Sequence, residues 1–200
     1  MNDTTQETTT PGIYARFGKR IFDLLVTLPV AILLAPLALL IGVVIRIEDR
    51  GPAIFRQERV GRHGRRLIVR KFRTMPVDTP HVPSGEAQDL SVTRTGRVLR
   101  RTSLDEIPQL ISIVQGDMSL VGPRPALPQQ EALIELRRAN GAQGLKPGLT
   151  GLAQVNSYDG MPESEKAQWD GAYARGLGFR EDCRILFKTI GYLTHKPPQY

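Results

Sequence analysis

The sequence has few of the residues that build disulfide frameworks or zinc sites. It contains one cysteine, Cys183, and three widely separated histidines, His63, His81 and His195. A single thiol cannot form a disulfide within the chain, and this histidine spacing does not match the ligand pattern of a Cys/His zinc site. The composition therefore excludes an internal disulfide framework and argues against a zinc domain.

The familiar phosphate-binding loops and internal repeats are also missing. No GxGxxG or GxxxxGKS segment occurs, and these are the loops that cradle phosphates in dinucleotide-binding and P-loop proteins. Aromatic residues make up 6% of the chain. The basic segments lack the interleaved aromatics of a single-strand platform, and no helix-turn-helix pattern is present. We therefore expect no nucleic-acid partner.

Acidic residues are fewer than basic ones. The chain of 200 residues has 20 Asp and Glu against 27 Lys and Arg, a formal net charge of +7 and a pI near 9.9. Such an excess favours a polyanionic partner, which besides nucleic acid means an acidic membrane surface or a phosphorylated substrate. The length suffices for one domain with its own core.

One long segment has no charge at all. The stretch from Leu24 to Ile45 is uncharged, and a straight helix of that length would reach roughly 33 Å, enough for a hydrocarbon core of about 30 Å. The charged IRIEDRG that follows lies where a signal-peptide cleavage site would be expected. A soluble buried helix this long would normally show a polar face. The segment predicts a membrane helix.

Two prolines and the flanking charges bear on how this helix meets the membrane. Pro29 and Pro36 each remove a backbone hydrogen bond and favour a bend. Cations flank both ends of the segment: Arg16, Lys19, Arg20, Arg46 and Arg50. A straight span would put one set on the non-cytoplasmic side, against the positive-inside preference. We predict a re-entrant helix bent at Pro36; the alternative is a bitopic anchor with a basic cytoplasmic domain.

Turn residues and apolar periodicity divide the rest of the chain. Residues 1–12 are polar, which predicts disorder, and Ile13 to Phe22 is typical of an amphipathic helix whose cations rest on anionic headgroups. The run from Arg50 to Arg73 has nine Lys and Arg residues, and its alternating segments around Gly61 to Gly64 predict a cationic β-hairpin. The expected later elements are a mobile loop between Met75 and Ser91, helical segments within Arg94 to Leu120, a loop at DMSLVGPRPALP, a helix over Gln129 to Asn140, a possible strand within Leu145 to Asn156, and a helical part over Ser164 to Tyr192 with Ile185, Leu186, Phe187, Ile190 and Leu193 on one flank.

Two adjacent acids, Asp105 and Glu106, stand just before Pro108. Ser103 and Glu106 have the Ser-x-x-Glu spacing of a helix capping box, and acids suit the positive end of a helix. Pro108, however, disfavours the α conformation at Ile107, so the acids could lie in an exposed turn with free side chains. Spacing alone leaves both interpretations open.

Nearby cations favour a functional role for the two acids. Arg100 and Arg101 precede them, and the GPRP segment brings Arg124 into the next loop. The planar guanidinium group can bind two phosphate oxygens at once. A carboxylate among cations stays ionised, so it can bind Mg²⁺ or attack phosphorus. These are the parts that phosphoryl transfer requires.

Five motifs occur in a characteristic order: FRQERVGRHG, KFRTM, RTSLDEIPQL, GDMSLVGPRP and KPGLTGLAQVN. Together they resemble the bacterial sugar transferase family, the monotopic phosphoglycosyl transferases that begin lipid-linked assembly of exopolysaccharide, O-antigen or glycoprotein glycans. The resemblance runs from Arg16 to about Leu193. Larger members carry an additional multi-span N-terminal region, so the small catalytic-core form is expected here.

The resemblance implies transfer of a sugar 1-phosphate from a UDP-sugar to undecaprenyl phosphate, with release of UMP. It implies that Asp105 attacks the β-phosphorus to form a phosphosugar–enzyme intermediate, that Glu106 positions or deprotonates the incoming phosphate, and that Mg²⁺ sits at Asp105 and bridges the diphosphate. The residues that motif position assigns to substrate binding are Lys71, Arg100, Arg124, Gln154 and Asn156. For Gln154 and Asn156, an ordinary hydrogen bond in a turn or strand is the alternative.

Some positions depart from the family pattern. Ala35 precedes Pro36 where a serine is common, so the bend would rest on proline alone. Leu152 replaces a usual tryptophan, and Ser157 and Tyr158 replace a glycine and an arginine that could contact the donor. These departures put the sugar specificity, and even the activity, in question, whereas the acidic dyad is intact.

The expected fold is α+β: a mostly helical monotopic membrane protein with a re-entrant N-terminal helix, interfacial amphipathic helices and a small β-hairpin or sheet. Its expected parts are disordered residues 1–12, a re-entrant region 13–49 and a catalytic domain 50–200 on the cytoplasmic face of the bacterial inner membrane. The expected partners are a UDP-sugar, undecaprenyl phosphate, membrane lipids and, by analogy, a second copy of the chain. The alternative from another class is a non-catalytic membrane-bound scaffold that binds nucleotide sugars.

Overall fold

The computed structural model describes residues 12–79, 91–158 and 160–193. The predicted disorder of residues 1–12 falls outside this part apart from Gly12, and so does most of the loop predicted between Met75 and Ser91. The described chain is mostly helical and has two separate two-stranded sheets. This confirms the α+β class.

One long helix dominates the N-terminal part. A turn of π-helix, Tyr14–Gly18, runs directly into helix α1, Lys19–Glu48, so the predicted lead-in segment is helical but is not a separate helix. Within the described residues, α1 is the one helix long and apolar enough to cross a membrane, by length and composition alone. Pro29 and Pro36 lie inside α1 without ending it, and the bend at Pro36 stays a prediction.

One side of α1 packs on the rest of the protein. Asp23, Thr27, Ile41 and Ile45 are buried, and their spacing places them on one stripe of the helix. Among the most exposed side chains on the opposite flank are Leu25, Ile32, Leu39 and Ile47. The helix therefore rests on protein with one side and offers apolar surface with the other, the kind of surface that a membrane or a partner covers.

The N-terminal end of α1 is held by ionic and polar contacts. Lys19 Nζ lies 2.7 Å from Asp182 Oδ2, and Arg20 donates to the carbonyl oxygens of Ile113 and Val114. The expectation that these two cations rest on lipid headgroups is therefore wrong, because the protein itself supplies their acceptors. A local sequence pattern could not show those acceptors, since they lie more than 90 residues away.

The C-terminal end of α1 is held in a similar way. The Glu48 carboxylate accepts from the backbone N–H groups of Arg94 and Thr95, and Asp49 forms an ion pair with Arg73 at 3.2 Å. Both ends of the apolar helix therefore lie against one and the same body.

The predicted hairpin is confirmed. Strands β1, Ile54–Val60, and β2, Arg66–Phe72, pair antiparallel, and the turn between them places His63 and Gly64 at positive φ, 56° and 78°. Directly opposed residues share a face, so the register puts these side chains on one face: Phe55, Gln57, Arg59, Leu67, Val69 and Lys71. Since Leu67 and Val69 are buried, this face points inward and carries Lys71 with it.

The segment with the acidic dyad is helical on both sides. Helix α2, Arg94–Thr102, is followed by a 3-10 turn, Leu104–Glu106, and by helix α3, Gln109–Gln115. Strand β3, Ser119–Val121, then pairs in parallel with β4, Gly148–Thr150. The possible strand near residue 148 is thus confirmed. The prediction of a loop over DMSLVGPRPALP is wrong for residues Ser119–Val121, which form β3. The partner strand β4 comes from a distant motif.

Four helices complete the described fold: α4, Glu131–Ala139, α5, Leu152–Val155, α6, Glu163–Arg175, and α7, Phe179–Leu193. The predicted helix near Gln129 is confirmed, whereas the final helical part is split in two around Gly176 and Gly178. The residues of the predicted apolar flank differ in burial: Ile185 is buried, whereas Phe187 and Ile190 are 75% and 64% exposed. The spacing of these apolar residues predicted a helix but could not tell which of them contact the core.

Candidate active site

A tight turn presents the two acids. Ser103 has a left-handed conformation, with φ 55° and ψ 16°, and its side chain does not cap the turn that follows. Glu106 directs its carboxylate to Lys71 and Arg124 instead of back to the backbone of Ser103. The capping-box interpretation is therefore wrong, and the side chain of Glu106 belongs to the site.

The conformation around Pro108 differs from expectation. Ile107 has right-handed helical angles, φ −48° and ψ −41°, although a following proline disfavours them. Ile107 packs against two separate apolar clusters of the core, and this packing offsets the local steric preference. The acids consequently lie in a helical turn rather than in an open loop.

Four of the predicted residues meet at one point. Lys71 Nζ from β2 lies 2.6 Å from Glu106 Oε1 and 3.9 Å from Asp105 Oδ2. Arg124 Nη2 lies 3.1 Å from the same Glu106 oxygen. Glu106 thus forms close contacts with two cations, whereas the contact between Asp105 and Lys71 is longer. The two neighbouring carboxyl groups have different surroundings.

These surroundings shift the two pKa values in opposite directions. Burial acts to raise the pKa of Glu106, but the charges and hydrogen bonds of Lys71 and Arg124 outweigh it and lower that pKa to about 2. Burial also raises the pKa of Asp105, and there the more distant cations do not reverse the effect. The expectation that cations simply hold Asp105 ionised is therefore incomplete, because they act mainly on Glu106.

Arg100 approaches the site from α2. Its Nε donates to Thr74 Oγ1 at 2.9 Å, and its charge favours the ionised form of Asp105. Arg100 is largely exposed, so its guanidinium can still meet a bound anion.

Gln154 and Asn156 lie in and just after α5. Gln154 Nε2 donates to the Leu149 carbonyl and Asn156 Nδ2 to the Leu152 carbonyl, as the alternative of ordinary local hydrogen bonds predicted. Gln154 Oε1 is buried and has no hydrogen-bond partner among the described residues, and the substrate-binding role of both residues stays a prediction.

The glycines of two motifs allow close backbone contact beside the site. A Cβ on Gly122 would overlap the Lys146 carbonyl oxygen, and one on Gly148 would overlap the backbone nitrogen of Gly122. Only glycine permits this approach. The GPRP and KPGLTG motifs are therefore the two sides of one tight crossing, and Arg124 projects from it.

Consecutive carbonyl groups hold the loop that carries Arg124. The carbonyl oxygens of Pro123 and Ala126 accept from the backbone N–H groups of Gly148 at 2.9 Å and Val60 at 2.8 Å. Those of Arg124 and Pro125 accept from the side chains of Arg137, through Nη1 at 2.9 Å, and Arg59, through Nη1 at 3.2 Å. Because two of these residues are prolines without an N–H group, carbonyl acceptors supply much of the anchoring. The loop is held from three different parts of the chain.

Arg59 is a site residue that sequence reasoning missed. Besides Pro125 O, its guanidinium donates to Gln57 Oε1. Burial and the neighbouring Arg124 lower the pKa of Arg59 to about 10, against the opposing effect of Glu106. The available signal was the strand alternation, which places Gln57 and Arg59 on the same face as Lys71.

The donor set limits the kind of metal site that is possible. Among the described residues, no group of three or more His, Cys, Asp or Glu side chains could hold a metal ion by itself. Mg²⁺ commonly takes one or two carboxylates and completes its shell with waters and substrate phosphates. Since Glu106 is occupied by two cations, Asp105 is the carboxylate that fits such a shared site.

The arrangement combines a less acidic carboxyl group with fixed cations at a partly open turn. Asp105 can act as a nucleophile or metal ligand, and Lys71, Arg100 and Arg124 can bind the oxygens of a phosphorylated substrate. The site is thus suited to group transfer at phosphorus.

Comparison with known proteins gives an independent line of evidence. A family model described as bacterial sugar transferase matches residues 14–196. The chain is 37% identical over 186 residues to the UDP-glucose:undecaprenyl-phosphate glucose-1-phosphate transferase of Klebsiella pneumoniae, covering 86% of this chain and 39% of that protein. It is 39% identical over 207 residues to the UDP-galactose-lipid carrier transferase of Erwinia amylovora, covering 93% and 42%. It is 37% identical over 189 residues to a UDP-glucose:undecaprenyl-phosphate glucose-1-phosphate transferase of Caulobacter vibrioides, covering 90% and 71%. The chain therefore spans about two fifths of the first two relatives and about seven tenths of the third.

Proposed function

Because this chain belongs to the bacterial sugar transferase family, we propose that it transfers a sugar 1-phosphate from a UDP-sugar to undecaprenyl phosphate and releases UMP. Its family membership confirms the resemblance drawn from the five motifs. The relatives from K. pneumoniae and C. vibrioides are named for a UDP-sugar and undecaprenyl phosphate, which supports the same donor and acceptor classes here.

The observation that carries this proposal is the unequal pair of carboxyl groups. Glu106 is held between Lys71 and Arg124, whereas Asp105 has a raised pKa and a longer contact, 3.9 Å, with Lys71. A carboxylate bound tightly by two cations is a poor nucleophile, and its more basic neighbour is a better one once deprotonated. Asp105 is therefore the nucleophile and Glu106 a fixed part of the cationic frame.

The proposed first step takes place at the β-phosphorus of the donor. An Asp105 carboxylate oxygen forms the new P–O bond, the bond from that phosphorus to the bridging oxygen breaks, and its electron pair leaves with UMP. Lys71, Arg100 and Arg124 bind the phosphate oxygens on which charge develops. In the second step an oxygen of undecaprenyl phosphate attacks the same phosphorus and releases Asp105.

Glu106 has two conceivable roles, positioning and deprotonation. A carboxylate with a pKa of about 2 is a weak base at neutral pH, because efficient proton acceptors have a pKa nearer the working pH. Positioning is thus the role assigned here: Glu106 fixes Lys71 and Arg124 for the phosphates. Bound Mg²⁺, held by Asp105 together with the diphosphate, would neutralise part of the phosphate charge.

A monotopic attachment on the cytoplasmic side fits both ends of α1. Its two ends contact the same body through Lys19 with Asp182 and Glu48 with the start of α2, so neither end is free to lie across a bilayer from that body. The proposed seat in the bacterial inner membrane brings the dyad to headgroup depth, where a polyprenyl phosphate would present its phosphate. A homodimer and a role in surface glycan or exopolysaccharide synthesis are parts of the same proposal.

A covalent-labelling experiment tests the proposal. The purified protein in membranes is incubated with Mg²⁺ and a panel of UDP-sugars carrying ³²P at the β-phosphate, without lipid acceptor. We expect label on the wild-type protein and on the control Asp117→Asn, whose carboxyl group is exposed outside the site, but none on Asp105→Asn. Undecaprenyl phosphate should then remove the label, and the donor that works identifies the sugar.

The same experiment separates the alternatives. Labelled lipid without labelled protein would contradict the covalent step and indicate direct transfer. Binding of UDP-sugars with neither product would favour the non-catalytic scaffold, for which the altered Ser157 and Tyr158 are the motivating feature.

A further inference from the structure

A buried ion pair lies outside the catalytic dyad and joins α4 to α6. Arg137 Nε lies 2.8 Å and Nη2 2.6 Å from Asp170 Oδ2, and the two residues are only 5% and 1% exposed. The third contact of the guanidinium is Nη1 to the carbonyl oxygen of Arg124, at 2.9 Å. One arginine thus bridges a buried acid and the backbone of a site residue.

Packing alone does not require charges at this place. One turn away on the same two helices, Leu133 and Ala167 form a small apolar cluster with Ala126. A buried ion pair usually adds no stability over well-packed apolar side chains, because both charges must be desolvated. The pair therefore calls for a reason beyond the attachment of α4 to α6.

The local chain around Arg124 supplies that reason. Arg124 stands between Pro123 and Pro125, and neither proline has an N–H group that could anchor the loop. Its own carbonyl is bound by the Arg137 side chain, and that side chain is fixed in turn by Asp170. A shift of this peptide would move the guanidinium of Arg124 relative to Glu106, which it reaches at 3.1 Å.

We propose that Arg137, oriented by Asp170, is a positioning residue that holds the Arg124 backbone so that the Arg124 side chain meets both Glu106 and the substrate phosphate. Arg137 does not touch the substrate. It needs the forked guanidinium, since a lysine could keep the charge contact with Asp170 but could not bind the acid and the Arg124 carbonyl in the same geometry. The effect on turnover rests on the proposed function, whereas the effect on the loop does not.

The first test measures the loop directly. Hydrogen exchange of the backbone amides within residues 122–127 is compared for the wild-type protein, Arg137→Lys and Arg138→Lys. Arg138 is the matched control, because it lies next in α4 but forms an exposed pair with Glu135. We expect exchange in this segment to rise at least about tenfold in Arg137→Lys, with the hairpin and the Arg138→Lys protein unchanged. Unchanged exchange at 122–127, or an equal rise throughout the protein, overturns the proposal.

The second test is a double-mutant cycle on kcat/KM for the UDP-sugar. Arg137→Lys should lower kcat/KM by at least about tenfold in the wild-type background and by less than about twofold in an Arg124→Ala background, because a residue that acts through Arg124 has nothing left to position. Equal losses in both backgrounds would mean a merely structural role and overturn the proposal.

Two other results can arise: Arg137→Lys does not fold, or the wild-type protein has no turnover. If Arg137→Lys does not fold, Asp170→Asn, which keeps the shape of the acid, is expected to raise exchange at 122–127 in the same pattern, and failure to do so overturns the proposal. If the wild-type protein turns over no UDP-sugar while the exchange result holds, the proposed function fails and the positioning role stands.

Discussion

Two neighbouring carboxyl groups acquire different chemistry from contacts with distant parts of the chain. Lys71 arrives from β2 and Arg124 from the crossing of two motifs, and both bind one oxygen of Glu106. Asp105 is the neighbour in sequence, but its contact with Lys71 is the longer one. At the residue scale, Glu106 therefore forms the close ion pairs of the site, and Asp105 is the acid to which we assign the proposed nucleophilic role.

The low pKa of Glu106 predicts a stability change in acid. A carboxyl group whose pKa in the folded state is lowered stabilises the protein above its ordinary pKa of 4.5, and that stabilisation is lost as the pH falls through about 2. Linkage makes the contribution roughly 3 kcal/mol at neutral pH. Glu106→Gln removes the titrating group, so its unfolding midpoint should fall less between pH 5 and pH 2 than that of the wild-type protein.

The measurement is thermal unfolding in detergent micelles across that pH range. Glu135→Gln is the control, because Glu135 forms an exposed pair with Arg138, and exposed pairs contribute little. The control should keep the wild-type pH dependence. Parallel pH profiles for Glu106→Gln and the wild-type protein would contradict the assigned electrostatics.

At the element scale, helix α2 is placed by one close backbone contact. A Cβ on Gly96 would overlap the carbonyl group of Thr74, and the hydroxyl of the same threonine accepts from Arg100 Nε. Thr93 caps the helix by accepting from the Gly96 N–H. The start of α2, the chain after β2 and the Arg100 side chain, which we propose binds phosphate, are therefore fixed together.

This contact predicts that Gly96→Ala damages both stability and the site. Overpacking of this kind costs roughly 1–3 kcal/mol, and displacement of α2 should also move Arg100 away from bound phosphate. The free energy of unfolding and the KM for the UDP-sugar are measured together. Gly178→Ala is the matched control, because the added Cβ would meet only an ordinary contact there, and it should change neither quantity. A Gly96→Ala protein with wild-type stability and KM would refute the role of this contact.

At the scale of the whole molecule, α1 exposes apolar side chains on one side and packs against the rest of the protein with the other. Asp23 on its buried stripe accepts from Ser119 Oγ and from the Leu120 N–H at the strand that leads to GPRP. The helix therefore cannot be separated from the protein as a simple anchor. The position of α1 and the position of the loop before Arg124 are therefore coupled through the contacts of Asp23 with β3.

This architecture predicts that both ends of α1 lie on the same side of the membrane. Single cysteines are introduced by Arg16→Cys and Arg50→Cys in a Cys183→Ser background, with Gln129→Cys as a reference at an exposed position outside α1. A membrane-impermeant maleimide should label all three in inverted vesicles and none in right-side-out spheroplasts. Labelling of Arg16→Cys from the outside would support the bitopic anchor instead.

Several features followed from the sequence by itself because they depend on local patterns. The alternation and glycine turn of residues 54–72 predicted the hairpin, the uncharged run predicted the long apolar helix, and the motifs identified the family and the residues Asp105, Glu106, Lys71 and Arg124. Each of these signals is contained within a short segment. Backbone geometry and residue type are sufficient to express them.

Only the tertiary structure decided how those segments are used. It showed that Glu106 is bound by cations instead of capping a helix, that Lys19 and Arg20 turn to the protein, that β3 has a partner, and that Arg59 and Arg137 support the Arg124 loop. These facts depend on contacts between residues far apart in the chain and on burial, which changes the free energy of a charge. No periodicity or motif spacing records which distant group will lie beside a given side chain, and that is why the unequal surroundings of Asp105 and Glu106 became visible only in the folded protein.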